Sequence, residues 1–349
     1  MASVRVIVPC YNYARYLPAC VGSVLSQPGV EVSVLILNDA STDDSRSVAD
    51  RLAAADGRIE VIHHETNQGH IATYNEGLAT TRSDYVVLLS ADDLLAPGAL
   101  ERAATLMDAR PSVGLVYGHP VVFRGDGAPP PTRSGRRTWT VWRGVDWLER
   151  MCRAGSNFIY CPEVVMRTSV QHRIGYYNPR LPHTGDMEMW MRAAAVSDIG
   201  RINGVDQAFY RIHGASMQRT VHSGLLLDLK AQLDAFDSVL ASSDLPEAER
   251  LLRTARRSIA VVAFHQAQRA VASGALTENG ISACQEFAAA LDRGTVPEAK
   301  WRALRRRLNA RSFSPALALA RVRESIAGRL RWRYWRWRGL EWPATPRLD

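Results

Sequence analysis

Three places in this 349-residue chain put carboxylates where they could do chemistry. In Leu88-Leu-Ser-Ala-Asp-Asp93-Leu-Leu two adjacent acids follow an apolar run. Either one of them caps a helix beginning near Pro97, or the pair offers hard oxygen to a divalent cation such as Mg²⁺ or Mn²⁺ beside a phosphate-bearing ligand. Asp186 and Glu188 open an apolar helix directly after Gly185. They either complement its dipole or supply a general base raised in pKa by partial burial, and Asp186 at the helix mouth is the better placed. Asp39 either ends a strand while Ser41 caps the next helix, or accepts the imide N–H of a uracil-like base.

Neutral and basic residues accompany these acids. In Pro9-Cys-Tyr-Asn12, Tyr11 is either ordinary packing or an aromatic platform under a base, and Asn12 can satisfy backbone groups of a turn. Asn67-Gln-Gly69 marks a tight turn whose following helix could meet a phosphate with its first N–H groups, and Asn75 lies one and a half turns into that helix. In Tyr210-Arg-Ile-His213, the histidine is either packed or completes a carboxylate metal site, with Arg211 then holding substrate charge.

Chemistry at these points needs elements that end there. Val4 to Pro9, Val30 to Leu37, Ile59 to Ile62 and Tyr85 to Leu89 read as strands; 16–27, a segment to about Ala55, and about Ile71 to Ala79 read as the helices between them. Such alternation predicts a mostly parallel sheet covered on both faces, with ligands beyond the carboxyl ends of its strands. The Gly-, Pro- and Arg-rich stretch 124–137 reads as a mobile loop, 142–153 as a helix, 161–166 as a strand and 187–196 as a helix. Helical patterns dominate beyond about Thr220.

Composition is that of a globular protein: 46% hydrophobic residues suffice for a core, and no apolar run approaches the ~20 residues of a membrane span. With a strand-like N-terminus instead of a signal peptide, a cytoplasmic location is expected. The five cysteines lack zinc-like spacing and read as free thiols. The net charge of +8 gathers in the dense basic cluster from Arg302 to Arg338.

Taken together, 4–216 resembles the family-2 glycosyltransferases with the GT-A fold. The resemblance rests on Ile7-Val-Pro-Cys-Tyr-Asn12, Leu37-Asn-Asp-Ala-Ser-Thr-Asp-Asp44, Asn67-Gln-Gly69 with Asn75, Ser90-Ala-Asp-Asp93, Gly185-Asp186 before Trp190-Met-Arg192, and Tyr210-Arg-Ile-His213. It implies a Rossmann-like catalytic domain over 1–218, with a nucleotide-sugar half (1–123) and an acceptor half (124–218), followed by a helical region over 219–349. It further implies an inverting hexosyl- or N-acetylhexosaminyltransferase that takes a nucleoside-diphosphate sugar, with UDP-sugar the leading donor, to a hydroxyl of a glycan, lipid-linked or small-molecule acceptor. Pro9, Tyr11 and Asp39 would receive the nucleoside; Asn12, Asn67, Gly69, Asn75, Ser90, Ala91, Asp92 and Arg211 would complete the donor site. Asp92, Asp93 and His213 would hold Mg²⁺ or Mn²⁺, and Asp186 would be the base. Two positions depart from the family: Ser90 and Gly185 stand where an acid is common.

The tail adds a separate expectation. As a helix, Ile326, Leu330, Tyr334 and Trp337 share one face and Trp332 and Trp335 the opposite one, with arginines between. The first face is expected to dock on the catalytic domain and the second to meet an anionic membrane surface, placing the protein peripherally at the inner face, or a second subunit. No nucleic-acid recognition module is visible. The rival readings are a nucleotidyltransferase, which would normally carry a Gly-rich basic loop after the first strand, and a non-catalytic sugar-nucleotide-binding protein.

Overall fold

The computed structural model describes residues 1–214 and 224–309, with 326, 328–330, 333 and 334, and omits the side chains of 134 and 136. The chain divides into two compact units: Met1–Trp147 with Ile159–Arg219, and Leu148–Phe158 with Thr220–Asp349.

The first unit begins as the β-branched runs require. Strands β1 (Ser3–Cys10), β2 (Glu31–Asn38), β3 (Ile59–His63) and β4 (Tyr85–Leu88) lie parallel, with Ile7 paired to both Leu35 and Leu88. Helices α1 (Leu17–Leu25), α2 (Ser45–Ala55) and α3 (His70–Thr80) connect them. At Gly77 a Cβ would meet Ile7 Cγ2 at 2.6 Å, so α3 presses on the sheet where only glycine fits.

After β5 (Leu94–Leu95) and α4 (Ala99–Ala109) come β6 (Val113–Tyr117), β7 (Pro120–Arg124), β8 (Ser134–Trp142) and α5 (Gly144–Ala154). Next are β9 (Val165–Arg167), α6 (Thr168–Ile174), α7 (Gly185–Val196), β10 (Asp198–Val205) and β11 (Ala208–Ile212). The main sheet runs β3-β2-β1-β4-β9-β6-β10-β8, and a small sheet runs β5-β11-β7. In the main sheet only β9 and β8 oppose the common direction. This is the mostly parallel α/β architecture expected, followed by C-terminal helices.

Three local expectations need correction. The stretch 124–137 is not all loop, because Ser134 onward forms the edge strand β8 against β10. An edge strand needs one hydrogen-bonded neighbour and no apolar burial on both faces, so its composition hides it. The strand expected over 161–166 starts as a 3₁₀ turn, Cys161–Glu163, in which Pro162 cannot donate to a ladder. The caps also differ. Helix α4 begins after Gly98, so neither Asp92 nor Asp93 caps it, and Asp44 rather than Ser41 precedes α2.

The second unit is helical as expected: α8 (Leu225–Leu240), α9 (Ala248–Ala272), α10 (Glu278–Leu291) and α11 (Glu298–Asn309). Its core gathers Leu229, Phe236, Leu251, Ile259, Ile281 and Trp301, the last edge-on to Phe264 at 4.9 Å. All five cysteines are free thiols. No helix among the described residues is long and apolar enough to cross a membrane. Of the tail, Trp332, Trp335, Trp337 and most of the arginines lie outside the described residues, whereas Ile326 and Leu330 are 46% and 55% exposed.

Candidate active site

The carboxyl ends of β1, β2, β3 and β4 deliver Tyr11-Asn12, Asp39, His64 and Ser90 to Asp93 to one edge of the sheet. The first two loops carry the only non-glycine residues among those described with positive φ, Asn12 at 60° and Ala40 at 54°. Such strain persists where surroundings over-determine it, often at ligand sites. Here Asn12 stitches the loops together: its Oδ1 accepts the N–H of Thr42 at 2.7 Å, and its own N–H donates to Ser41 Oγ at 3.0 Å. Pro9 is half-buried in β1, and Tyr11 stands out from this edge, 47% exposed.

Asp39 is buried, and three groups already use its carboxylate. The N–H groups of Gln68 and Gly69 donate to it at 2.8 and 3.0 Å, and His64 Nδ1 lies 2.8 Å from Oδ1. Asn67 Nδ2 donates to the Asp39 carbonyl at 3.2 Å, so the Asn67-Gln-Gly69 turn is held against β2. Gly69 there has φ of 83°. His64 Nε2 meets Glu76 Oε2 at 2.7 Å. Burial opposes the charge on His64, but these two carboxylates prevail and raise its pKa. His64 and Glu76 went unnoticed in the sequence, although His64 follows β3 at the same edge as the acids that were singled out.

The small sheet assembles the acidic motif. β11 pairs antiparallel to β5 with Phe209 opposite Leu94, and that register, continued, brings Arg211 and His213 back along Asp92 and Ser90. His213 Nε2 lies 2.9 Å from Asp92 Oδ2, and Ser90 Oγ donates to Asp92 Oδ1 at 2.6 Å. Asp93 turns elsewhere: its Oδ1 accepts the Arg211 N–H at 2.8 Å, and burial, then the Asp92 charge, push its pKa well up.

Arg211 was expected to hold substrate charge. Its guanidinium instead donates to the carbonyls of Asp92 and Gly125 at 2.9 and 2.8 Å and lies over the Tyr16 and Phe123 rings. It braces the motif from behind. Ala91 is buried in the same turn.

The expected metal ligands therefore separate. Among the described residues no three acid, histidine or cysteine groups converge as a metal cage. Asp92 Oδ2 and His213 Nε2 do converge, an oxygen and a ring nitrogen, and Asp93 does not. Two protein donors fit a cation such as Mg²⁺ or Mn²⁺ that keeps its other positions for phosphate and water.

Asp186 sits in the first turn of α7, half-buried, and does not cap it; Thr184 precedes the helix. Tyr177 Oη donates to Asp186 Oδ1 at 2.7 Å. Burial raises the Asp186 pKa, while Tyr177, the charge of His70 and Cys161 draw it back in part. Asn75, expected near the donor, serves this side: Nδ2 donates to the Tyr177 carbonyl at 2.9 Å and Oδ1 accepts the Tyr177 N–H at 2.8 Å. Glu188 pairs with Arg192 at 2.8 Å and so is spent on the helix itself. No sequence pattern marked Tyr177, because its partners lie 102 positions before it and 9 after.

Residues 5–168 match the model described as glycosyl transferase family 2. An uncharacterised glycosyltransferase of Haemophilus influenzae is 26% identical over 219 residues, which cover 60% of this chain and 66% of that protein, just under two thirds of its length. Among solved structures, S. aureus TarS 1-349 in complex with UDP-GlcNAc superposes with a TM-score of 0.59 at 18% identity, covering 87% of this chain and 90% of that one. The mannosyltransferase PcManGT from Pyrobaculum calidifontis, in complex with GDP-Man and Mn²⁺, gives 0.54 at 17% identity, covering 95% and 82%. These superpositions establish the shared fold. With that fold, and with the strand-end motifs in the matched segment, residues 5–168 are similar to glycosyl transferase family 2.

Proposed function

We propose that the protein is an inverting glycosyltransferase that moves a sugar from a nucleoside-diphosphate sugar, UDP-sugar foremost, to an acceptor hydroxyl. The observation that carries this reading is the convergence of Asp92 and His213 at the carboxyl edge of the sheet, with a separately held, pKa-raised Asp186 as base. The family match of residues 5–168 and the nucleotide-sugar complexes of the two structural neighbours support it.

In this reading Tyr11 stacks on the base and Pro9 lines its seat. Asp39 accepts the imide N–H with the one of its roughly four lone-pair positions not already taken. Asn12, Asn67 and Gly69 hold the loops that shape this pocket, and Asn75, Ser90, Ala91 and Arg211 act through the residues they fix. Asp92 and His213 would hold Mg²⁺ or Mn²⁺, which supplies charge stabilisation for the departing diphosphate. Asp186 takes the proton from the acceptor hydroxyl; the freed oxygen lone pair forms the bond to C1 as the C1–O bond to the diphosphate breaks, and the nucleoside diphosphate leaves with that electron pair. Attack from the opposite face inverts the anomeric centre.

The acceptor is a hydroxyl of a glycan, a lipid-linked sugar or a small molecule, and the Arg- and Trp-rich tail would bring the enzyme to an anionic membrane surface or a second copy. The decisive experiment is Asp186→Asn assayed for both transfer and donor binding by calorimetry. Loss of transfer with donor binding retained is the expected result; transfer at the wild-type rate removes Asp186 from the base role.

A further inference from the structure

A cavity of about 300 Å³ lies in the first unit where the loop after β5, the start of β8 and the β10–β11 turn meet, with Arg102, Thr132, Arg133, Arg137 and Asp206 among its lining. None of the proposed catalytic or metal-binding residues lines it.

Its charges do not cancel. Arg133 neutralises Asp206, with Nε 2.6 Å from Oδ1 and the Arg133 N–H 2.7 Å from Oδ2, so both carboxylate oxygens are in use. Arg102, buried on α4, has only neutral partners: Gln207 Oε1 at 2.6 Å and the carbonyls of Pro97 and Asp206 at 2.7 and 2.9 Å. Burial, then the like charge of Arg137, pull its pKa down to about 10, against the weaker attraction of Glu101 and Asp206. It therefore remains cationic at neutral pH. Arg137, exposed on β8, adds a second positive charge at the rim.

Holding a buried guanidinium beside another one without a carboxylate on it costs stability. An apolar residue would fill a purely structural position more cheaply, whereas arginine forks match tetrahedral oxyanions. We propose that this cavity binds an oxyanion of the phosphate class, either the free ion or a phosphomonoester, between Arg102, Arg133 and Arg137.

The test is thermal shift and calorimetry on the full chain with EDTA present, which silences the metal-dependent donor site, using inorganic phosphate, glycerol 1-phosphate and chloride at matched ionic strength. Saturable stabilisation by a phosphate beyond that of chloride is expected, with affinity falling at least tenfold in Arg137→Gln and partly recovered in Arg137→Lys. Because Arg137 is exposed, its replacement leaves the fold in place, as Arg102→Gln need not. Preference for inorganic phosphate identifies the free ion as ligand, and preference for glycerol 1-phosphate an esterified one. Stabilisation no greater than chloride's, or undiminished in Arg137→Gln, overturns the proposal.

Discussion

Tyr177 and Asp186 form a unit: the phenol donates to the carboxylate at 2.7 Å, and the same ring lies 2.9 Å from where a Cβ at Gly185 would be. The second relationship gives a physical reason for glycine at 185, where the family resemblance alone would lead to an acid. A side chain at 185 and the Tyr177 ring compete for one space.

That hydrogen bond favours the ionised form of Asp186, against burial, which disfavours it. Removing it in Tyr177→Phe raises the Asp186 pKa further. With Asp186 as the proposed base, the acidic limb of kcat/KM is therefore expected to move to higher pH in the variant while donor affinity stays unchanged. A pH–rate profile checks this; an unmoved limb accompanied by a uniform loss of rate would mean that Tyr177 only supports packing.

Asn75 makes both of its hydrogen bonds to the Tyr177 backbone. Asn75→Ala leaves those groups without partners in a half-buried site, at a cost of about 1–3 kcal/mol. Urea unfolding should register the loss, and kcat should fall more than donor affinity, since the segment displaced is the one that carries Tyr177. A fall confined to donor affinity would return Asn75 to the nucleotide.

Ser90 orients Asp92 by donating to Oδ1. Supports of this kind typically change metal affinity about 10–100-fold, so Ser90→Ala is expected to raise the half-saturating Mn²⁺ concentration within that range. Activity at saturating Mn²⁺ should largely return. Stripping the metal with EDTA should abolish transfer in both proteins, and persistence of full activity would remove the metal from the reaction.

Glu163 is fully buried, and burial pushes its pKa up to about 8 despite the N–H of Tyr160 and the charge of Arg201. The folded state then holds a proton that the unfolded chain has released above about 4.5, so folding stability falls as pH rises between those values, by up to about 1.4 kcal/mol per pH unit. Glu163→Gln removes that slope. Melting temperatures from pH 5 to pH 8 should move progressively in favour of the variant, and a constant difference across that range would contradict the assignment.

Much of this was legible in the residues alone, for a reason of scale. Hydrophobic period, β-branched runs and turn residues act over a few positions, so β1 to β4 and the helices between them follow from local spacing, and with them the edge where Asp39, Asp92 and Asp93 emerge. The same local reasoning misjudged 134–137, because an edge strand needs hydrogen bonds from a neighbour more than it needs apolar residues. It left capping by Asp92, Asp93 or Ser41 as one of two alternatives, which the structure closes, since Gly98 and Asp44 occupy the cap positions without any side-chain bond.

Only the tertiary structure decided which acids work together. Asp92 meets His213 across 121 positions through the β5–β11 pairing, while Asp93, its immediate neighbour, is turned onto the Arg211 backbone. Both acids sit in the turn that the Asp93 N–H closes on the Ser90 carbonyl at 3.0 Å, and laying β11 beside the exit of that turn gives each carboxylate a different partner. For the acids first singled out, the sequence specified type and address at the sheet edge. Long-range pairing specified the direction of each carboxylate, and so separated the oxygen that faces His213 from the one that holds the fold.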